Sequence, residues 1–551
     1  MKALKHILFL MACLFFSVSG HAVQIRREPG YTIPESVLPT DRDNPALWIP
    51  ASVKYTRAAA PGAYAVKDIP RTGSIEYLLI LVDFSNLKFT IKDTEELLEQ
   101  FSRMYNEHGY SDTATYSHRG YTFHGATGSV NDYFRDQSYG QYDPTFRIVG
   151  PIHMPQGYET YGKNIGSYDD KAVLALVTEI CDSLAAREEI GLAGYTRNGN
   201  IDQLSIIYAG RGENYRGADK NTIWPQSSIL HYNKHGIKDV KYACTCELFW
   251  DSDSIIDGIG TFCHEFSHTL GLQDFYNTSP SATENNLAMG YWSVMDYGNY
   301  EDQGFSPVGY TAFEKYSLGW MNIEEITHEG QYVLNDISTP PDPDNDIHSA
   351  YRLNAGNDNQ FIILENHIRT GWYKYHASEG LMVTAVNYDN NSWAGNTINT
   401  SSKLMRYCIL PADNNNKSST NAGDLFPYKD IDSITTTGTP PLCVQTSDGP
   451  VYPLYSIYNI SREDRLLQFT ALFDKTTGVD MPVAEEVSIT AVEGGVSVTA
   501  PVGSIVSVHD ILGKNVLETV TSEAVQYFSL PGSGIWIVRC GNTVRKMRIE
   551  N

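Results

Sequence analysis

Between Ile75 and Phe84 the chain reads IEYLLILVDF, an apolar run without alternation, as expected for a strand buried on both faces. SVNDYFRDQSYG at 129–140 changes period: Ser129 is placed to cap a helix, Asp132 sits three residues on, and Gly140 closes the far end. A second helix is predicted over Lys171 to Arg187, and another strand over IDQLSIIYAG at 201–210. In SIIDGIGTFC the apolar residues Ile255, Ile259, Cys263 and Phe266 recur every three or four positions, with Ser254 and Asp257 as the expected capping pair. The segment leading into residue 264 is therefore predicted helical, and the whole region is a mixed α/β pattern.

Past Glu325 the helical signals stop. Runs such as QFIILENHI and GLMVTAVNY alternate with Asn, Asp and Pro loops, which predicts a β-rich domain. After the linker DKTTGVDMPVAEE at 474–486, the runs VSIT, GVSVTA, SIVSVHD, GIWIVRC and VRKMRI are short and evenly spaced, as in a small β-sandwich.

Composition adds bounds. At 551 residues with 42% apolar content, the chain is long enough for several packed domains. The balance of 41 basic against 65 acidic residues, 41 − 65 = −24, comes with no local basic cluster and argues against nucleic acid or an anionic membrane surface as partner. MKALKHILFLMACLFFSVSGHA has Lys2 and Lys5 before an apolar run from Ile7 to Val18, then Gly20 and Ala22, the pattern of a cleaved signal peptide over residues 1–22. LMAC does not end that run, which argues against lipidation. No later segment approaches the roughly 18 to 20 apolar residues of a membrane span. Residues 23–71, rich in proline and arginine, are an N-terminal arm or a pro-segment. Loss of the signal leaves seven cysteines, an odd and scattered set that is no disulfide framework; Cys408 and Cys443 are the pair to test first for a bridge.

The chemistry lies in HEFSHTLGLQD at 264–274. On a helix, His264 and His268 are neighbours on one face and offer two imidazole nitrogens to one metal ion, while Glu265, one step round, stands beside it. Gly271 lets the helix stop and the chain reverse, after which Asp274 is able to reach the metal as a third ligand. Two imidazoles and a carboxylate suit zinc with one open position for a water, and Glu265 is then the general base and acid of peptide-bond hydrolysis. The blander alternatives are Asp274 as a loop carboxylate, or a distant glutamate such as Glu365 as third ligand with Asp274 orienting a histidine.

HExxHxxGxxD followed by SVMDYG at 293–298 resembles the metzincin clan of zinc endopeptidases. LLILVDF, SVNDYFRDQSYGQ, IDQLSIIYAGRGE, YWSVMDYG, FEKYSLGW, QFIILENHIRTGW and GDLFPY, in this order over about residues 75–430, resemble the immune inhibitor A family of secreted bacterial metallopeptidases. The resemblance implies an α+β metzincin-like zinc peptidase domain at 72–325, a β-rich accessory domain at 326–480 and a C-terminal β-sandwich at 481–551. It implies His264, His268 and Asp274 as zinc ligands, Glu265 as base and acid, Met295 as the methionine under the metal, and Tyr297 as the tyrosine that closes on the metal or the oxyanion. Structural calcium is the one further cofactor it raises, yet the expected acidic loop reads YTRNGNID, with Arg197 in the middle and Asp202 its sole acid, against calcium there. SVHDILGKNV and PGSGIWIVRCGNTVRKMRIEN resemble a type IX secretion sorting domain, which implies secretion machinery as a partner and an extracellular or outer-surface location. The substrates implied are proteins or peptides. The rival function is a surface binding protein or adhesin with a degenerate peptidase domain.

Overall fold

A computed structural model describes residues 69–549 except 112–116, 119–120, 123–125, 165–169, 171, 216–218, 250–254, 278–287, 341–346, 402–403, 416–419, 475–486, 493, 501–503, 512–513, 522–524 and 541–542; ahead of them it describes only the paired strands Tyr55–Arg57 and Tyr64–Val66. The signal peptide and most of the arm lie outside the described residues. Two compact units result, residues 1–474 and 475–551.

The first unit is built on β1 (Gly73–Asp83), α1 (Thr94–Asn106), α2 (Val130–Gln137), β2 (Tyr142–His153), α3 (Val173–Ala185), β3 (Asn200–Arg211), β4 (Gln226–Lys234), β5 (Ile237–Leu248), α4 (Gly260–Leu270) and α5 (Ala312–Leu318). The sheet order is β2, β1, β3, β5, β4, with Thr196–Arg197 as a sixth strand on β3. All pairs along it are parallel except β4 with β5. β1 explains its own sequence: Tyr77, Leu79 and Leu81 enter the core that contains α1, α2 and α4, while Leu78, Ile80 and Val82 enter the core that contains α3. A strand covered on both faces has no polar side to show.

Local signals largely hold. Ser129 caps α2 in a reciprocal box with Asp132, and α3 covers all but the ends of the expected helix. The capping pair before α4 does not form. Ile256 bridges back to Leu248, and α4 begins at Gly260 with Ile259 ahead of it and no side-chain cap. Ser254 lies outside the described residues. Asp257 caps no backbone N–H of the helix; its carboxylate is shared among Tyr215 Oη at 2.9 Å, Cys246 Sγ at 3.6 Å and the side chain of Thr261, and burial pushes it up to about 7.

β6 (Ala350–Asn354), β7 (Gln360–His367), β8 (Gly380–Asn387) and β9 (Tyr407–Ile409) make a second sheet with Glu324–Glu325 at its edge. This strand-rich segment shares one core with the first: Phe361, Ile363, Met382 and Tyr407 pack in the cluster that holds Phe262, Phe266 and Met295. The opposite face of the sheet covers a core of its own with Gly330–Leu334, Tyr455–Glu463 and Leu466–Phe473. All seven described cysteines are free, and Cys408 and Cys443, the pair to test first, form no bridge. Burial raises both of those thiols above their ordinary range.

The second unit has an antiparallel three-stranded sheet (Ser488–Val492, Gly495–Thr499, Val525–Ser529) and a four-stranded one (Asn515–Val520, Ile505–Asp510, Gly534–Cys540, Thr543–Ile549). Val496, Val498, Phe528, Val506, Val508 and Val538, drawn from both sheets, bury one cluster.

Candidate metal centre

Every residue of α4 is buried, and Phe262, Cys263, Phe266 and Leu270 anchor it in the core. Phe266 lies 4.9 Å from Phe134 and Phe262 lies 4.8 Å from Tyr105 between ring centroids. At its start the backbone of another loop comes unusually close: a Cβ on Gly260 would stand 1.8 Å from Asn299 O, so only glycine fits. At its end Gly271 adopts φ +109°, its N–H donating to His268 O at 2.9 Å and that of Leu272 to Ser267 O at 3.1 Å, a Schellman closure. The reversal that follows brings Asp274 back beneath the helix.

His264 Nε2 and His268 Nε2 are 3.2 Å apart, and Asp274 Oδ1 lies 3.2 Å from the first and 3.3 Å from the second. Tetrahedral bonds of 2.0 to 2.1 Å around zinc give ligand separations of about 3.3 to 3.4 Å. His264 Nδ1 donates to Val294 O at 2.8 Å and His268 Nδ1 to Leu272 O at 2.9 Å. A carbonyl only accepts, so neutral rings carry their hydrogens on Nδ1 and turn lone pairs toward one another at Nε2. Asp274 Oδ1, buried and without a hydrogen-bond partner, faces the same point. Three converging acceptors are a poor arrangement for anything but a cation, and this donor set fits zinc.

Asp274 is held by a residue that nothing in the motif signals. Asn396, from the loop after Asn390–Ala394, accepts from the Asp274 N–H at 2.8 Å and donates from Nδ2 to Asp274 Oδ2. Oδ1 is thereby left for the histidines. Burial would raise the Asp274 carboxyl, but the imidazoles of His268 and His264 outweigh it and hold the group below the ordinary range. Glu265 is 3% exposed with Oε2 unpartnered; burial, and then the charge of Asp274, raise its carboxyl well above the usual value.

Met295 is fully buried. Its carbonyl accepts from the Phe275 N–H at 2.8 Å, one residue past Asp274, and its neighbour Val294 holds His264. The turn is fixed in turn by Ser293, whose Oγ accepts from the Met295 N–H at 3.0 Å and donates to Glu314 Oε1 at 2.5 Å. The methionine turn thus supports the centre through its backbone. Tyr297 is half-buried and stacks on Tyr276 at 6.3 Å and Tyr291 at 6.0 Å. Glu365 is engaged elsewhere, accepting from the Ala312 N–H at 2.7 Å at the start of α5. In the loop considered for calcium, Arg197 Nε pairs with Asp202 at 2.6 Å.

A mixed sheet thus carries a helix with two converging imidazoles, a neighbouring glutamate and a returning aspartate, a candidate metal centre. Residues 68–322, a little under half of the chain, match the family model for the immune inhibitor A peptidase M6 catalytic domain, and that segment is assigned to the family. The pre-pro-metalloprotease PrtV of Vibrio cholerae is 26% identical over 311 residues, covering 50% of this chain and 33% of PrtV. Immune inhibitor A of Bacillus thuringiensis subsp. alesti is 24% identical over 291 residues, covering 46% and 41%. The chain thus spans only about a third to two fifths of the length of these curated relatives. A solved structure of PorZ, a type-IX secretion component of Porphyromonas gingivalis, covers 36% of this chain and 22% of its own at 12% identity, and its TM-score of 0.12 carries no argument. No helix among the described residues is long and apolar enough to cross a membrane.

Proposed function

We propose that the chain is an exported zinc-dependent endopeptidase that hydrolyses peptide bonds in proteins, with His264, His268 and Asp274 as ligands and Glu265 as general base and then general acid. The observation that carries this reading is the donor triangle of 3.2 to 3.3 Å edges beside a buried carboxylate with an unpartnered oxygen. A zinc ion held there supplies Lewis-acid activation of a water and of the scissile carbonyl. Glu265 takes the proton of the attacking water and delivers it to the departing amine. Its burial, which strengthens its hold on a proton, suits a group that must carry one between two partners. Tyr297 is the candidate donor to the oxyanion, a role that requires it to leave its stack on Tyr276 and Tyr291.

Met295 supports the centre from below. Residues 23–71 act as a pro-segment, and the second unit directs export through type IX machinery to the medium or the outer surface. Structural calcium is not part of this proposal, since Arg197 already neutralises Asp202. In the decisive experiment, Glu265→Gln retains one zinc at the triangle and loses casein cleavage, while Asp274→Ala loses that zinc. Undiminished turnover in Glu265→Gln would sink the proposal.

A further inference from the structure

The side chains of β7 that face the peptidase core begin apolar and end polar. Phe361 and Ile363 lie in the core shared with α4 and α5, while Ile362 and Leu364 enter the strand-rich core on the other face. Glu365 and His367 continue the first row, and both are fully buried. His376, just past the turn Gly371–Tyr373, is 4% exposed, and its ring centroid is 5.0 Å from that of His367. The rings of His264 and His268 are 4.8 Å apart, almost the same. Glu365 Oε2 stands 3.2 Å from His367 Nε2, the separation also found between donors of the candidate metal centre.

Buried polar atoms nearly always have hydrogen-bond partners. Here both ring nitrogens of His376, Nδ1 of His367 and Oε1 of Glu365 have none, and Nε2 of His367 has only Glu365 Oε2 beside it. Trp292 closes over the cluster with its ring 4.4 Å from His376, yet its N–H donates to Asp424 at 2.8 Å and serves neither imidazole. A hydrophobic row has no reason to end in three adjoining polar groups unless something satisfies them.

We infer that Glu365, His367 and His376 form a second, buried site for a zinc-type divalent cation, which ties β7 to α5 and to the segment carrying Trp292. Two imidazoles and a carboxylate are a zinc donor set. Glu365 is already fixed by the Ala312 N–H at 2.7 Å, which links the site to the start of α5. Among the described residues only His264, His268 and Asp274 have three donors all within 4.8 Å, so binding at this second site requires the His376 ring to turn toward the other two.

The test uses the full chain as Glu265→Gln, which removes self-cleavage and leaves both donor sets intact. Metal analysis and anomalous scattering at the zinc edge are expected to give two zinc ions per chain, with one anomalous peak at His264 and the other bonded to His367. A single zinc at the His264 triangle, or a water at the second cluster, overturns the inference. In the same background His367→Ala/His376→Ala is expected to lose one zinc while the peak at His264 stays, and retention of both ions would also overturn it. Asp274→Ala removes the other ion, so failure here is distinguishable from failure of the proposed peptidase. Should the double variant not fold, the diffraction measurement alone decides.

Discussion

Asn396 offers the sharpest test of how the candidate centre is held, because it lies 122 residues from Asp274 and touches no imidazole in the hydrogen bonds described. Its own backbone has φ +50°, where a Cβ is tolerated at a cost, so alanine would add strain to the loss of the amide. Asn396→Gly keeps that conformation and removes only the side chain. Two bonds go: one to the Asp274 N–H and one to its carboxylate. A hydrogen bond to a charged group contributes about 1.5 to 3 kcal/mol, and loss of a residue that orients a metal ligand typically costs about 10 to 100-fold in metal affinity. The two figures agree, since 1.4 kcal/mol is tenfold. Zinc affinity by competition with a chromogenic chelator should therefore fall about 10 to 100-fold, with kcat/KM on a quenched peptide falling at limiting zinc and largely recovering at saturation. Asn396→Asp sets a second carboxylate against Asp274 and should bind zinc less tightly than Asn396→Gly. Unchanged zinc affinity in a folded Asn396→Gly protein would refute the claim that this amide aims Oδ1 at the histidines.

Three further outcomes are expected. Asp257 has its folded pKa raised to about 7 by burial, above its unfolded value, so its contribution to stability is full at low pH and is lost as pH rises toward 7; Asp257→Asn should flatten that part of the pH profile of chemical denaturation, and an identical profile would count against it. Gly260→Ala drives a Cβ into Asn299 O and should cost about 1 to 3 kcal/mol, the usual range for overpacking, read as a fall in thermal midpoint together with weaker zinc binding. Truncation after Asp474 should leave zinc binding and peptide cleavage intact while trapping the protein inside the cell envelope, because the first compact unit ends there; efficient export of the truncated chain would remove the proposed role of the second unit.

The parts of this protein legible in the sequence were those governed by near neighbours. A helical repeat puts His264 and His268 on one face, Gly271 supplies the left-handed turn, and uninterrupted apolar runs mark strands covered on both sides. Where sequence reading failed, tertiary partners had entered: the Asp257 carboxylate is shared among Tyr215, Cys246 and the Thr261 side chain and caps no backbone N–H of α4, and the chain between β5 and α4 bridges back to Leu248 instead of starting the helix early.

Only the tertiary structure decided how the site is supported. Asn396 is one polar residue in an Asn-rich loop, with no periodicity or spacing to distinguish it, and its bond to Asp274 exists because the strand-rich segment packs into the same core as α4. The carbonyls of Val294, Leu272 and Met295 are equally silent in the sequence, since every residue has one and only the fold aims it. Local periodicity is a property of a few consecutive residues and survives in the string of letters. Convergence of groups more than a hundred residues apart depends on which hydrophobic faces bury one another, and that is settled only when the whole unit packs.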